Sequence, residues 1–140
     1  MKIYFSCSIT GGRDDEPVYA ELVAHLQAAG HDVLTAHLAS PQALEDEAHL
    51  HAHAVYERDC AWVRDCDAMI AEVSTPSHGV GYEIAYALEH GKPVLCCHRR
   101  TARVSKMITG NTRQGLGLCS YSDVKDVLRS VDAFLGNLGG

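Results

Sequence analysis

The chain has 140 residues, 46% of them hydrophobic and 21% charged, with a formal net charge of −6. That length suits one domain with a real apolar core, so neither disulfides nor a structural metal are needed to hold it together. The negative balance counts against nucleic acid as a partner, since phosphate backbones call for a basic face. No apolar run approaches the roughly 20 residues that span a bilayer.

Residues 2–9 (KIYFSCSI) read as a strand rich in β-branched and aromatic types, closed by the turn-forming Gly11 and Gly12. This opening lacks the longer apolar region and cleavage site of a signal peptide, so a cytoplasmic protein is expected. From Pro17 to Ala29, the apolar Val18, Leu22, Leu26 and Ala29 recur at helical spacing, with Gly30 as the stop. Residues 31–38 (HDVLTAHL) read as a second strand. Ser40-Pro41 opens a long helical region to about Asp65, broken into two pieces.

Residues 68–74 (AMIAEVS) form a nearly continuous apolar run, as in a strand buried on both faces. The loop TPSHGVG leads to a helix from about Tyr82 to His90, which Gly91 ends. Residues 93–98 (PVLCCH) are a fourth strand, in which Cys96 and Cys97 act as small buried hydrophobes. A short helix covers 101–109, residues 116–121 form a fifth strand, and the last helix runs from Ser122 to about Leu135. The six cysteines contain no C-x-x-C pair, and disulfides are not expected.

Strands alternating with helices imply right-handed β-α-β units. The expected fold is α/β: a single-domain, Rossmann-like (flavodoxin-like) three-layer sandwich around a five-stranded parallel sheet. Such sheets bind ligands beyond the carboxyl ends of their strands, where the strand order reverses. The segments to watch are therefore residues 7–13 and 74–82.

Three groups along the chain can carry chemistry. Ser8-Ile9-Thr10-Gly11-Gly12-Arg13 offers hydroxyls and close backbone approach to an anion, though a plain tight turn fits equally well. Ser77-His78-Gly79-Val80-Gly81-Tyr82-Glu83 sets N–H groups at a helix start and places Glu83 in the helix's first turn. A carboxylate that merely complements the helix dipole is the plainer explanation. Asp59 supplies a second carboxylate, and a pair of carboxylates suits glycosidic cleavage; a solvated helix face is its plainer reading. His49 and His53 share a helix face at i, i+4 but lack a recognised metal-ligand pattern, and no metal is expected. Ser105 has no local triad partner.

Together these pieces resemble the nucleoside 2-deoxyribosyltransferase superfamily, and within it the 2′-deoxynucleoside 5′-phosphate N-hydrolases. The resemblance is carried by Tyr4 to Arg13, Leu34 to His37, Asp59 to Trp62, Ala71 to Glu83, and Arg103 to Gly110. It implies Glu83 as nucleophile, Asp59 for proton handling and sugar placement, and Tyr4 in support of the carboxylates. It implies substrate contacts from Ser8, Ile9, Thr10, Gly11, Gly12, Arg13, His37, Ser77, Gly79, Ser105 and Met107. The family's 5′-phosphate site corresponds to Ser8 and its turn, Ser77, Gly79 and Ser105. In the family, the serine matching Ser105 comes from the neighbouring subunit, so the resemblance implies a homodimer with shared sites. Cys7 departs from an expected glycine, Thr10 from an arginine of some relatives, and His78 from an apolar residue.

The implied reaction is hydrolysis of nucleoside 5′-monophosphates through a covalent glycosyl-enzyme, with no cofactor and neither membrane nor nucleic acid as partner. A deoxyribosyltransferase, a hydrolase of CMP-type ribonucleotides and a non-catalytic nucleotide-binding module stay as alternatives. A cytokinin-type phosphoribohydrolase would carry P-G-G-x-G-T-x-x-E, which is absent.

Overall fold

A computed structural model describes all of residues 1–140. Every residue of β3 (Ala68–Glu72) is buried, and so are Ile3 to Ser6 of β1 (Lys2–Ser6), which places both strands in the middle of a sheet covered on two faces. With β2 (Asp32–Val33), β4 (Val94–Arg99) and β5 (Leu116–Tyr121) they form one parallel sheet of order β2-β1-β3-β4-β5. In β1 and β3 the register pairs Tyr4 with Met69 and Ser6 with Ala71.

Alternation along the strands divides the core in two. Ile3, Phe5, Ile70, Leu95 and Cys97 pack with Tyr19, Leu22 and Leu26 of α1 (Glu16–Ala28) and with Val127, Val131 and Leu135 of α6 (Val124–Gly139). On the other face, Tyr4, Met69, Ala71, Val94 and Cys96 meet Val63 of α3 (Ala52–Asp65) and Val80, Ile84 and Ala87 of α4 (His78–Glu89). The result is the three-layer α/β sandwich expected from the sequence.

Several boundaries differ from the expected ones. The second strand does not run from 31 to 38: it pairs only over Asp32–Val33, and Ala36–Ala39 coil into a 3-10 turn. The cause is Thr35, whose hydroxyl accepts from Phe5 N–H (2.9 Å) and donates to Phe5 C=O (2.6 Å), so a side chain replaces the ladder and the backbone leaves the sheet. The 41–65 region does break in two, as α2 (Ala43–Ala48) and α3. His49 caps α2 while His53 lies in α3, so the two histidines share no helix face.

Helix α4 starts at His78 rather than Tyr82, because the Ser77 side chain caps it by accepting from Val80 N–H (3.3 Å). Glu83 therefore sits in the second turn, and Gly79 and Gly81 belong to the helix. The short helix expected at 101–109 is confined to α5 (Lys106–Thr109), capped by Ser105. The last helix is capped by Asp123 instead of Ser122.

Candidate active site

The strand order reverses between β1 and β3, and the crevice opens beyond their carboxyl ends. The loops leaving these two strands touch. A Cβ on Gly11 would lie 2.3 Å from the Pro76 carbonyl oxygen, so only glycine lets the first loop lie against the second. Gly12 has φ +131°, a conformation that side chains resist.

Two helices deliver carboxylates to this crevice. Helix α4 buries Val80, Ile84 and Ala87 against the sheet, which turns Gly79 and Glu83, one helical turn apart, toward α3. Asp59 and Glu83 line one pocket of about 160 Å³, with Gly79, Tyr82 and Tyr86 of α4 and Tyr56, Cys60 and Val63 of α3. A side chain at Gly79 would reach within 3.9 Å of Glu83 Oε1, so glycine keeps the space above the carboxylate open.

Burial pushes the Glu83 carboxyl up to about 7; the Tyr4 hydroxyl opposes this, the Asp59 charge adds to it, and the Ser6 hydroxyl and Arg58 oppose it. Burial also raises Asp59, against the pull of Arg58, whose Nε lies 2.9 Å from Asp59 Oδ1. Tyr4 is raised far above the ordinary phenol range by burial and by both carboxylates, so it stays a donor. The two acids thus have separate environments: a cation holds Asp59, while Glu83 has apolar walls and hydroxyls. Environments of this kind pull the titrations of paired carboxyls apart.

Tyr4 Oη, Ser6 Oγ and Ser8 Oγ are buried, and none completes a hydrogen bond of standard geometry within the protein. They occupy alternate positions on and just beyond β1, hence one face of the sheet, the face of α3 and α4. Orphaned buried hydroxyls are costly unless something else meets them. Tyr4 and Ser6 face the Glu83 carboxyl and favour its charged form, which leaves the Ser8 hydroxyl for a polar ligand.

The other expected residues fall into three places. Ile9, Thr10, Gly11 and Gly12 form the rim of the first loop. Arg13 presents no free charge: its guanidinium donates to the carbonyls of Leu38 (2.9 Å), Ser40 (2.8 Å) and Ser8 (3.2 Å) and pairs with Glu16 (3.2 Å). It braces the loop against the turn after β2. His37 packs edge-on against Trp62, and its Nε2 lies 3.4 Å from Glu47 Oε1. Arg58 Nη2 meets the same oxygen at 2.8 Å, so His37 joins Asp59 through a Glu47–Arg58 bridge.

Ser77, Ser105 and Met107 lie elsewhere. They line a larger cleft of about 950 Å³ between the β3–α4 loop and α5, which neither carboxylate lines. Ser77 and Ser105 each accept a helix-capping N–H and keep a hydroxyl proton to donate. Met107 is 84% exposed. One chain thus brings Ser105 to Ser77 and leaves both catalytic candidates in the neighbouring pocket.

Sequence reasoning passed over Ser6, Arg58 and Glu47. Ser6 was legible, because it alternates with Tyr4 and Ser8. Arg58 and Glu47 were not, since neighbours on a helix point apart and only the folded chain brings Glu47 to Arg58.

A half-buried carboxyl raised to near neutrality can attack a carbon bearing a leaving group, with a second carboxyl held by a cation and a protonated phenol beside it. The nucleoside 2-deoxyribosyltransferase family model matches residues 3–125. A protein of Methanococcoides burtonii, provisionally named 2′-deoxynucleoside 5′-phosphate N-hydrolase 1, is 44% identical over 112 residues, covering 80% of this chain and 92% of its own. The 5-hydroxymethyl-dUMP N-hydrolase of Mus musculus is 45% identical over 113 residues, 77% of this chain and 64% of its own. The CMP N-glycosidase of Clostridium botulinum superposes with a TM-score of 0.73 at 19% identity, covering 96% of this chain and 99% of that one, a likeness of fold.

Proposed function

The chain belongs to the nucleoside 2-deoxyribosyltransferase family, and from that premise we propose that it hydrolyses the N-glycosidic bond of (2′-deoxy)nucleoside 5′-monophosphates. The products are the free base and (2-deoxy)ribose 5-phosphate. The relatives from Methanococcoides burtonii and Mus musculus, both named as N-hydrolases, support the reaction. The observation that carries it is the pocket in which Glu83 and Asp59 meet, with the buried hydroxyls of Tyr4 and Ser6 against the Glu83 carboxyl.

In the proposed mechanism, ionised Glu83 forms a bond to C1′ as the bond from C1′ to the base nitrogen breaks, the electron pair leaving with the base. Asp59 is assigned the proton that the base acquires, directly or through water. Water then attacks C1′ of the glycosyl-enzyme, giving up a proton to Asp59 and releasing Glu83 as carboxylate. Tyr4 donates to the Glu83 carboxylate and orients it. Splitting the displacement in two replaces one high barrier by two lower ones.

The 5′-phosphate is assigned to Ser8 and its turn together with Ser77 and Gly79 at the α4 N-terminus, where N–H groups and the helix dipole favour an anion. No free cation of the first loop is needed, which agrees with Arg13 being spent on carbonyls. Ser105 and the exposed Met107 are assigned to the site of a second copy in a homodimer, the exposed Tyr56 and Tyr82 at the pocket mouth being apolar surface for that copy to cover. A cytoplasmic setting goes with the same proposal, five of the six free cysteines being buried.

The test is incubation with a panel of nucleoside monophosphates and the matching nucleosides, followed by quantitation of base and sugar phosphate. Equal release of both from monophosphates is expected. Base exchange without net hydrolysis would make it a transferase, and binding without base release would make it a binding module.

A further inference from the structure

Asp15 stands at the N-cap of α1, a position where an aspartate ordinarily accepts a backbone N–H of the first turn, yet its side chain caps nothing. The carboxylate, 5% exposed, turns away from the helix. It accepts from Thr75 Oγ1 at 3.0 Å and from Arg99 Nε at 2.6 Å. A local bond worth about 1 kcal/mol is thus given up for contacts that reach the loop after β3 and the end of β4.

Arg99 is tied to the same loop a second time, because its backbone N–H donates to Ser74 Oγ at 2.7 Å. Ser74 in turn donates to the fully buried Glu72, which also accepts from Tyr121 Oη at 3.0 Å. Ala71 and Val73 face α3 and α4, so Glu72 between them faces the other side of the sheet. The network therefore lies behind the crevice, across the sheet from Glu83. It joins the two loops where Gly11 already lies against the Pro76 carbonyl.

We propose that the Asp15–Arg99 pair, acting through Thr75, latches the first loop to the loop after β3 and so sets the site's affinity for a phosphate group. The inference rests on the phosphate assignment of the proposed function. Ser8 and its turn come from one loop, Ser77 and Gly79 from the other, and an anion held by both feels their separation. A spacing fixed before binding spares the anion the cost of ordering both loops. Asp15 and Arg99 are positioning residues in this reading, since they do not touch the reacting atoms.

The experiment compares the native chain with Asp15→Ala, Arg99→Ala, the double variant and the milder Thr75→Val. Binding of inorganic phosphate is measured by calorimetry, and kcat and KM are measured with the monophosphate turned over fastest. Each single variant should lose about tenfold or more in phosphate affinity, with KM rising in step and kcat within about threefold of native. The double variant should be no worse than the weaker single, as for two parts of one device.

Thr75→Val keeps the volume and should shift the same quantities in the same direction while melting near the native temperature. Additive losses in the double variant would mean that Arg99 meets phosphate by itself, and would overturn the latch. Unchanged phosphate affinity in Asp15→Ala and Thr75→Val would overturn it too, as would failure of the native chain to bind phosphate. A native chain that binds phosphate but releases no base would sink the hydrolysis, and the calorimetric comparison alone would then decide the latch.

Discussion

Replacing Glu83 by glutamine should abolish turnover and, at neutral and alkaline pH, make the protein more stable. Its carboxyl is raised from 4.5 to about 7, chiefly by burial. A carboxyl raised on folding stabilises the native state while it holds its proton, and this contribution is lost as pH rises from the unfolded value through the folded one. A rise of that size means that the ionised group costs on the order of 3 kcal/mol when fully charged. Glutamine has the shape of the protonated acid and never ionises. Urea unfolding of native protein and Glu83→Gln should therefore differ by about 1 kcal/mol or less near pH 5 and by about 3 kcal/mol near pH 9, with glutamine the more stable. A stability difference independent of pH, or a variant less stable than native near pH 9, would refute the reasoning.

The Ser6 hydroxyl favours the charged form of Glu83, so Ser6→Ala should move the acid limb of kcat/KM to higher pH, by about one unit for a hydrogen bond to a charged group. Full recovery well above that limb is expected, and an equal loss at every pH would contradict the assignment. Gly11→Ala puts a methyl 2.3 Å from the Pro76 oxygen; it should cost about 1–3 kcal/mol in thermal or urea unfolding and raise KM for monophosphates. Thr35→Val removes both bonds to Phe5 from a buried site and should destabilise by about 1–3 kcal/mol in the same assay, leaving kcat within a few-fold of native.

How much of this was legible in the sequence depends on which forces decided each element. The strands at 68–72 and 116–121 and the helices over 16–28 and 52–65 follow apolar patterns that the packing obeys. The edge strand after Asp32 was misread because a threonine hydroxyl, invisible to periodicity, takes over the ladder. The start of α4 was misread because Gly79 and Gly81 look like loop residues, whereas the Ser77 cap makes them the first turn. That correction matters for the site: it moves Glu83 one turn inward, away from the dipole end and into the apolar pocket that raises its titration. Asp59 and Glu83 stand out as carboxylates in their local motifs and take their roles from the family resemblance, and the fold brings them to one pocket. Asp15 was passed over because its local position suggests a helix cap, and only the folded chain shows its side chain crossing to Thr75 and Arg99.

The central claim is a transient covalent bond to Glu83. A 2-fluorinated nucleoside 5′-monophosphate slows breakdown of such an intermediate, and peptide mass spectrometry after brief exposure locates the adduct. One sugar phosphate attached to the peptide bearing Glu83, absent from Glu83→Gln, is the predicted result. Hydrolysis of the natural substrate with the label on another side chain, or with full activity in Glu83→Gln, would contradict the account.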